Sequence, residues 1–258
     1  MYKRTLLKTL FALSILVTSC ASKKDIVYFQ DEPLRVMDES NIHNYELKYK
    51  TDDLLTIDVS ALNPESAMPF NLPAVSYNSS VISAQGSLKM QTYLIDINGD
   101  IEFPVLGKIK LGGLTRTQST NFLKEKLTEY IKEPIVNIRL ANFTVSVLGE
   151  VARPGTFTIQ DERVTLPEAL GLAGDLTIQG NRKNVLLIRE VDGQKRFSKI
   201  DLTSINIVNS PIYYLEQNDV LYVEPNNAKV RQSSYNQNNG VIIAAVSTLA
   251  TIAAILIK

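Results

Sequence analysis

The C-terminal stretch Gly240 to Lys258, GVIIAAVSTLATIAAILIK, constrains the fold of this chain more than any other. From Gly240 to Ile257 it runs eighteen residues without a charge, and Lys258 closes the chain. At 1.5 Å of rise per residue such a run makes a helix roughly 27 Å long, close to the hydrocarbon thickness of a bilayer. A core helix of that length in a soluble domain would carry a charged face, and this one has none. The stretch is therefore expected to be a single transmembrane helix, with the rest of the chain working beside a membrane. Gly240, Ala244, Ser247, Thr251, Ala254 and Lys258 share one side of the helical period, and Ile242, Val246, Leu249, Ile252 and Leu256 share the other. Small and hydroxylated side chains suit close helix packing or a pore lining, and the aliphatic side suits lipid. Such residues are common in any span, so a plain anchor stays open.

The other end of the chain also points at a membrane. Lys3, Arg4 and Lys8 form a positive start, Leu10 to Val17 is a short apolar run, and Val17-Thr18-Ser19-Cys20 follows with small residues where a signal peptidase cuts. Cys20 is the one cysteine of the chain. The pattern resembles a bacterial lipobox, which implies a signal peptide over 1–19 and lipidation at Cys20. Lipid at one end and an apolar helix at the other leave a periplasmic body between two membrane attachments.

Acidic and basic side chains balance at 27 each, so no basic surplus points to nucleic acid. Residues 20–44 have little periodicity and read as an extended arm leading away from the lipid. Leu55, Ile57 and Val59 alternate as a strand should. Asn63 to Met90 is a long irregular loop with three prolines. Thr92 to Ile97 and Ile101 to Val105 flank Asn98-Gly99, a hairpin signal. Thr115 with Gln118 makes a capping box for a helix burying Phe122, Leu123, Leu127, Tyr130 and Ile131 and ending by Pro134. Val136, Ile138 and Leu140 alternate in the next strand.

A second unit opens at Phe143, Val145 and Val147. Gly149 to Gly155 is a turn, and Thr165 with Glu168 caps a short helix that carries Pro167 in its first turn. Strands are expected at Asn184 to Glu190, Arg196 to Leu202 and Asp219 to Val223. A polar, Asn-rich linker then leads into the tail. The fold class is α+β, with two small sheet-plus-helix domains over 45–141 and 142–225, a linker over 226–239 and a transmembrane helix over 240–258.

Catalytic chemistry finds little to work with. His43 is the one histidine, and it sits in the irregular arm, far from any nucleophile elbow. No histidine pair offers a zinc site, and no glycine-rich loop has the spacing for a nucleotide. Gly112-Gly113 reads as a turn. Asp52-Asp53 and Asp161-Glu162 are carboxylate neighbours on turns, where solvation or capping is the ordinary role. No catalytic residue, metal site or cofactor is expected.

Tyr45-x-Leu47 before Asp52-Asp53-Leu54-Leu55-Thr56-Ile57 resembles the opening of the polysaccharide export domain, where Gly-Asp is more usual. Asp96-x-Asn98-Gly99-x-Ile101-x-Phe103-Pro104-x-Leu106-Gly107, Gly113-Leu114-Thr115 and Pro134-x-Val136 continue the likeness. From Val147-x-Gly149-Glu150-Val151 through Pro154-Gly155, Thr165-Leu166, Glu168-Ala169-Leu170 and Ala173-Gly174, the chain resembles a soluble-ligand-binding β-grasp (SLBB) domain. The whole looks like the outer-membrane lipoproteins that export capsular and exopolysaccharides, the Wza-type translocons. That resemblance implies a ring-shaped homo-oligomer around a cavity, C-terminal helices lining a pore, polysaccharide as cargo and an inner-membrane polysaccharide co-polymerase, often a tyrosine kinase, as partner. Longer members carry two β-grasp domains where this chain shows one. Two other readings stand beside it: a periplasmic carbohydrate-binding or scaffolding lipoprotein with a simple anchor, and a polysaccharide-modifying enzyme using a carboxylate pair.

Overall fold

Strand β1 (Leu54–Ser60) is the spine of the first domain, running antiparallel between β2 (Thr92–Leu94) and β5 (Ile135–Leu140). The computed structural model of the chain describes residues 23–30, 46–72, 91–191, 193–233 and 238–256. Cys20, His43, Lys258 and the stretch 73–90 lie outside the described residues, as do the side chains of Ile242, Ala254 and Leu256. Period-two alternation sends Leu55, Ile57 and Val59 of β1 and Val136 and Ile138 of β5 to one face, where all are buried. The start of the 63–90 loop is ordered. Asn63 caps a short helix, α1 (Pro64–Ala67), and a 3-10 turn at Met68–Phe70 buries Phe70 in the same core.

Helix α2 (Arg116–Leu127) covers that face. Its capping box forms: Thr115 Oγ1 accepts from the Gln118 N–H, and Gln118 Oε1 accepts from the Thr115 N–H at 3.0 Å. Leu123 and Leu127, one turn apart, are fully buried. The helix stops at Leu127, earlier than Pro134 suggested, so Ile131 still reaches the core while Tyr130 is half exposed and stacks edge-on with Phe70. The Asn98-Gly99 turn forms, but it does not close a hairpin. Asp96 accepts at its side chain from the Asn98 and Asp100 N–H groups, and the flanking strands then part. β2 pairs with β1, whereas β3 (Asp100–Phe103) pairs with β4 (Gly107–Lys110).

The second domain is a five-stranded sheet with its own core. Its strands are β6 (Thr144–Gly149), β7 (Gly155–Thr158), β9 (Gly180–Val191), β10 (Gln194–Ile200) and β12 (Val220–Pro225), in the order β10-β9-β12-β6-β7. β12 runs parallel to β6 and antiparallel to β9. A two-residue strand, β8 (Val164–Thr165), pairs with β11 (Tyr214–Leu215) and feeds α3 (Leu166–Leu172), whose Thr165–Glu168 capping box is complete. Leu166, Ala169 and Leu170 pack that helix onto the sheet.

The start of the arm, residues 23–30, lies on the second domain. Phe29 N–H donates to Leu202 O, Gln30 N–H to Thr203 O, and Tyr28 Oη donates to Asp175 Oδ1 at 2.6 Å. The polar linker is not all coil: Asn226 accepts from the Ala228 and Lys229 N–H groups and starts α4 (Asn227–Ser233). The expectation that the structure corrects concerns the tail. A helix forms there, α5 (Asn238–Leu256), but it opens on two strongly polar asparagines, so the apolar part among its described residues, Gly240 to Leu256, is roughly 25 Å long, short of a hydrocarbon core of about 30 Å. Among the described residues no helix is long and apolar enough to cross a membrane, and the expected transmembrane helix is set aside. The stripe also presents less polarity than its sequence suggests. Ser247 Oγ donates to Ile243 O and Thr251 Oγ1 to Ser247 O, each one turn back along the same helix.

Candidate functional site: the junction of the two domains

The residues that carry most of the polar chemistry meet where the domains join. Asn142, between β5 and β6, holds both sides. Its Oδ1 accepts from Leu54 N–H at 2.9 Å, its Nδ2 donates to Asp52 O at 3.0 Å, and its own carbonyl accepts from Gln217 Nε2 at 2.7 Å. Gln217 in turn accepts from Thr144 N–H. One residue, through its side chain and its carbonyl, thus ties the start of β1 to the segment that leads into β12.

Beside it lies a charge network. Asp219 is buried and receives Arg189 in a fork, Nε to Oδ1 at 3.0 Å and Nη2 to Oδ2 at 2.6 Å. Arg189 also reaches Glu216 at 2.8 Å and Tyr214 O at 2.9 Å. Glu216 faces the first domain and pairs there with Lys50, whose ammonium also donates to Glu190 O. Burial pushes the Asp219 carboxyl upward, opposed by Arg189. The network runs from the core of one domain to the surface of the other.

Asp53 stands at the first domain's edge of the junction. Its Oδ2 accepts from Lys50 N–H at 2.8 Å, closing the turn into β1, where Asp52 takes a positive φ of 69°. Burial raises the Asp53 carboxyl to about 6, against the pull of the Lys50 N–H and ammonium. The fold therefore takes up this proton more readily than the unfolded chain. The resulting stability is complete below about pH 4 and is lost as pH rises through about 6. Asp53→Asn keeps an acceptor for Lys50 N–H and removes the buried charge. It is expected to stabilise the first domain by on the order of 2 kcal/mol at pH 7.5, with the gain gone at pH 4, in urea titrations at both pH values. Equal stability of the two proteins at pH 7.5 contradicts this.

A cleft of about 520 Å³ opens at the junction. Tyr49 and Phe143 form its inner wall, and Glu46, Arg116, Arg139, Asp161, Glu162 and Arg163 are among its lining residues. Arg116 Nε meets Glu162 Oε1 at 3.0 Å, joining α2 to the loop before β8, and Arg163 lies over the Tyr214 ring. Burial raises the Tyr49 hydroxyl well beyond its ordinary range.

One carboxylate of each neighbouring pair thus has a structural partner. Asp53 closes a turn and Glu162 binds Arg116. Gly112 sits against the Asn98-Gly99 turn, where a Cβ would meet Gly99 Cα at 2.6 Å, and its N–H donates to Gly99 O. Of the tail stripe, Gly240, Ala244, Ser247 and Thr251 are exposed on α5, as are Val246 and Leu249 of the opposite side. The structure does not bring any of them to the junction. Asn142, Arg189, Glu216 and Asp219 were not singled out in the sequence. Their long-range partners lie 25 to 166 positions away along the chain, beyond any local pattern.

Comparison with known proteins gives a consistent answer. The family described as polysaccharide biosynthesis/export protein matches residues 41–141, and the SLBB domain family matches residues 144–223. The EPS I polysaccharide export outer membrane protein EpsA of Ralstonia nicotianae is 29% identical over 203 residues, covering 74% of this chain and 52% of that protein. The protein of the same description from Ralstonia solanacearum is 26% identical over 179 residues, covering 68% of this chain and 47% of its own length. The chain spans about half the length of these curated relatives.

Proposed function

Since the chain belongs to the polysaccharide biosynthesis/export family, we propose that it is a subunit of an oligomeric conduit that carries capsular or exopolysaccharide to the outer membrane. The observation that carries this reading is the pairing, in one chain, of an export domain and an SLBB domain joined by the Asn142 and Arg189–Glu216–Lys50 contacts. Domains fixed to each other in this way act as one rigid block, and rigid blocks repeat around a closed ring. The bulk of the chain is periplasmic at the outer membrane, held by acyl chains on Cys20. A homo-oligomeric ring encloses the polymer, and an inner-membrane polysaccharide co-polymerase with tyrosine kinase activity hands the polymer over. The small side of α5, with Gly240, Ala244, Ser247 and Thr251, packs copy against copy, since its hydroxyls are already satisfied within the helix.

Removing the chain from its host is expected to abolish surface polysaccharide while polymer is retained in the cell envelope, and re-expression is expected to restore display. Normal surface polysaccharide in the absence of the chain contradicts the proposal.

A further inference from the structure

The junction cleft contains a polar group that the fold leaves unused. Tyr49 is 4% exposed and its backbone is pinned on both sides: its N–H donates to Leu114 O at 3.0 Å, and its carbonyl accepts from Gly113 N–H at 2.8 Å. Its side chain lines the cleft, and its hydroxyl has no hydrogen-bond partner among the described residues. The charges of Arg116 and Glu162 act on that hydroxyl with opposite sign, which places it near the ion pair that joins the two domains. Buried hydroxyls are ordinarily hydrogen-bonded, so Tyr49 Oη is a fixed donor and acceptor awaiting a partner. Four exposed side chains that line the same cleft are also unpartnered among the described residues. Arg139 of β5 offers donors, Glu46 and Asp161 offer acceptors, and Gln160 offers both. Glu46 and Arg139 come from the first domain, Gln160 and Asp161 from the second. Between them the buried side chains of Ile138 and Phe143 supply apolar surface.

We propose that this cleft binds a neutral sugar unit of the exported polymer, with its C–H face on the Ile138–Phe143 wall, one hydroxyl on Tyr49 Oη, and further hydroxyls on Arg139 and Asp161. The proposal rests on the polysaccharide-conduit reading above. A sugar hydroxyl both donates and accepts, so adjacent hydroxyls satisfy a guanidinium and a carboxylate together. Other ligand classes fit less well. The lining carries three arginines, Arg116, Arg139 and Arg163, against three acids, Glu46, Asp161 and Glu162, so its charge cancels and gives no net pull on an anion or a cation. An apolar ligand would strip water from Tyr49, Arg139 and Asp161 and give no hydrogen bond in return. A neutral polyhydroxyl ligand meets both the apolar wall and the paired donors and acceptors. At about 520 Å³ the cleft lies within the range of small-molecule pockets, about 300–1,000 Å³. Because Arg139 and Asp161 belong to different domains, a sugar held by both also clamps the junction.

The full-length chain, in a detergent whose headgroup contains no sugar, is titrated in a calorimeter with fragments of the host's surface polysaccharide. Partial acid hydrolysis gives the fragments, and anion exchange separates a neutral pool from an acidic one. The native chain is expected to bind the neutral pool in preference to the acidic one. Tyr49→Phe keeps the ring and removes only the hydroxyl. It is expected to weaken that binding roughly three- to tenfold while leaving the urea midpoint at or above the native value, a split that a structural role for the hydroxyl would not give. Asp161→Ala, at an exposed position, is expected to weaken it about tenfold or more. No binding of the neutral pool by the native chain, preference for the acidic pool, or unchanged binding in both variants overturns the inference. Each of these leaves the export reading standing where loss of the chain still abolishes surface polysaccharide. Normal display without the chain removes that reading, whatever the cleft binds.

Discussion

Replacing Gly149 by alanine is expected to unfold the second domain under conditions where the native chain is fully folded. Gly149 ends β6 at a φ of +89°, a conformation that costs an L-residue roughly 1–2 kcal/mol. The larger effect is contact. A Cβ at this position falls 2.1 Å from Val223 O and 2.9 Å from Val223 C. Both atoms are backbone, so no flexible side chain can move aside. Relief requires β6 and β12 to part, yet they form the parallel pair inside the five-stranded sheet, and Glu150 N–H donates to the same Val223 carbonyl. A loss above about 4 kcal/mol follows, a large share of the stability of a small domain. Gly171→Ala is the control. Gly171 lies in α3 with nothing within 4 Å of its Cβ position, so alanine there is expected to gain up to about 1 kcal/mol. Urea denaturation followed by circular dichroism separates the two. Native-like stability in Gly149→Ala contradicts the β6–β12 register.

The second large effect is expected from Arg189→Met. Methionine keeps much of the packing volume and leaves Asp219, 1% exposed, without its forked partner. Removing one member of a buried ion pair costs about 3–5 kcal/mol, mostly because the remaining charge is uncompensated. Two further results follow from that cause. The variant's deficit shrinks between pH 7.5 and pH 5, because Asp219, already pushed upward by burial, takes up a proton once Arg189 is gone. Asp219→Asn in the Arg189→Met background restores more than half of the loss, since asparagine can still accept from Glu216 N–H. A deficit that stays constant with pH and survives the second substitution would show that Arg189 acts by packing alone. Glu216 loses its positioning partner as well, so its pairing with Lys50 across the junction weakens.

Local rules read well wherever the stabilising contact is local. Thr115 with Gln118 and Thr165 with Glu168 are three positions apart, and both boxes form because each pair needs only its own first turn. The alternation of Leu55, Ile57 and Val59 was readable because a sheet buried on one face imposes period two. Asn98-Gly99 shows where such reading stops. The turn was legible, but strand partnership depends on which edge the rest of the sheet leaves open, and β1 took β2 away from β3. Asn226 opening a helix in a polar stretch was a capping signal of the same local kind as Thr115, hidden by the surrounding asparagines. The tail differs for a quantitative reason: freedom from charge does not amount to apolarity, and the helix begins on two asparagines that a count of charges passes over. The junction was invisible in the sequence. Asn142 reads as one more loop asparagine until Leu54, 88 positions away, is seen beside it.

The proposed function makes this chain one member of a closed ring of rigid two-domain blocks around a polymer. The mass and symmetry of the particle extracted in mild detergent, by native mass spectrometry and averaged electron micrographs, test it most directly. The expected result is a mass that is a whole multiple of the acylated protomer and a ring with cyclic symmetry and an open centre. A monomer that remains monomeric at the protein density of the membrane would contradict it.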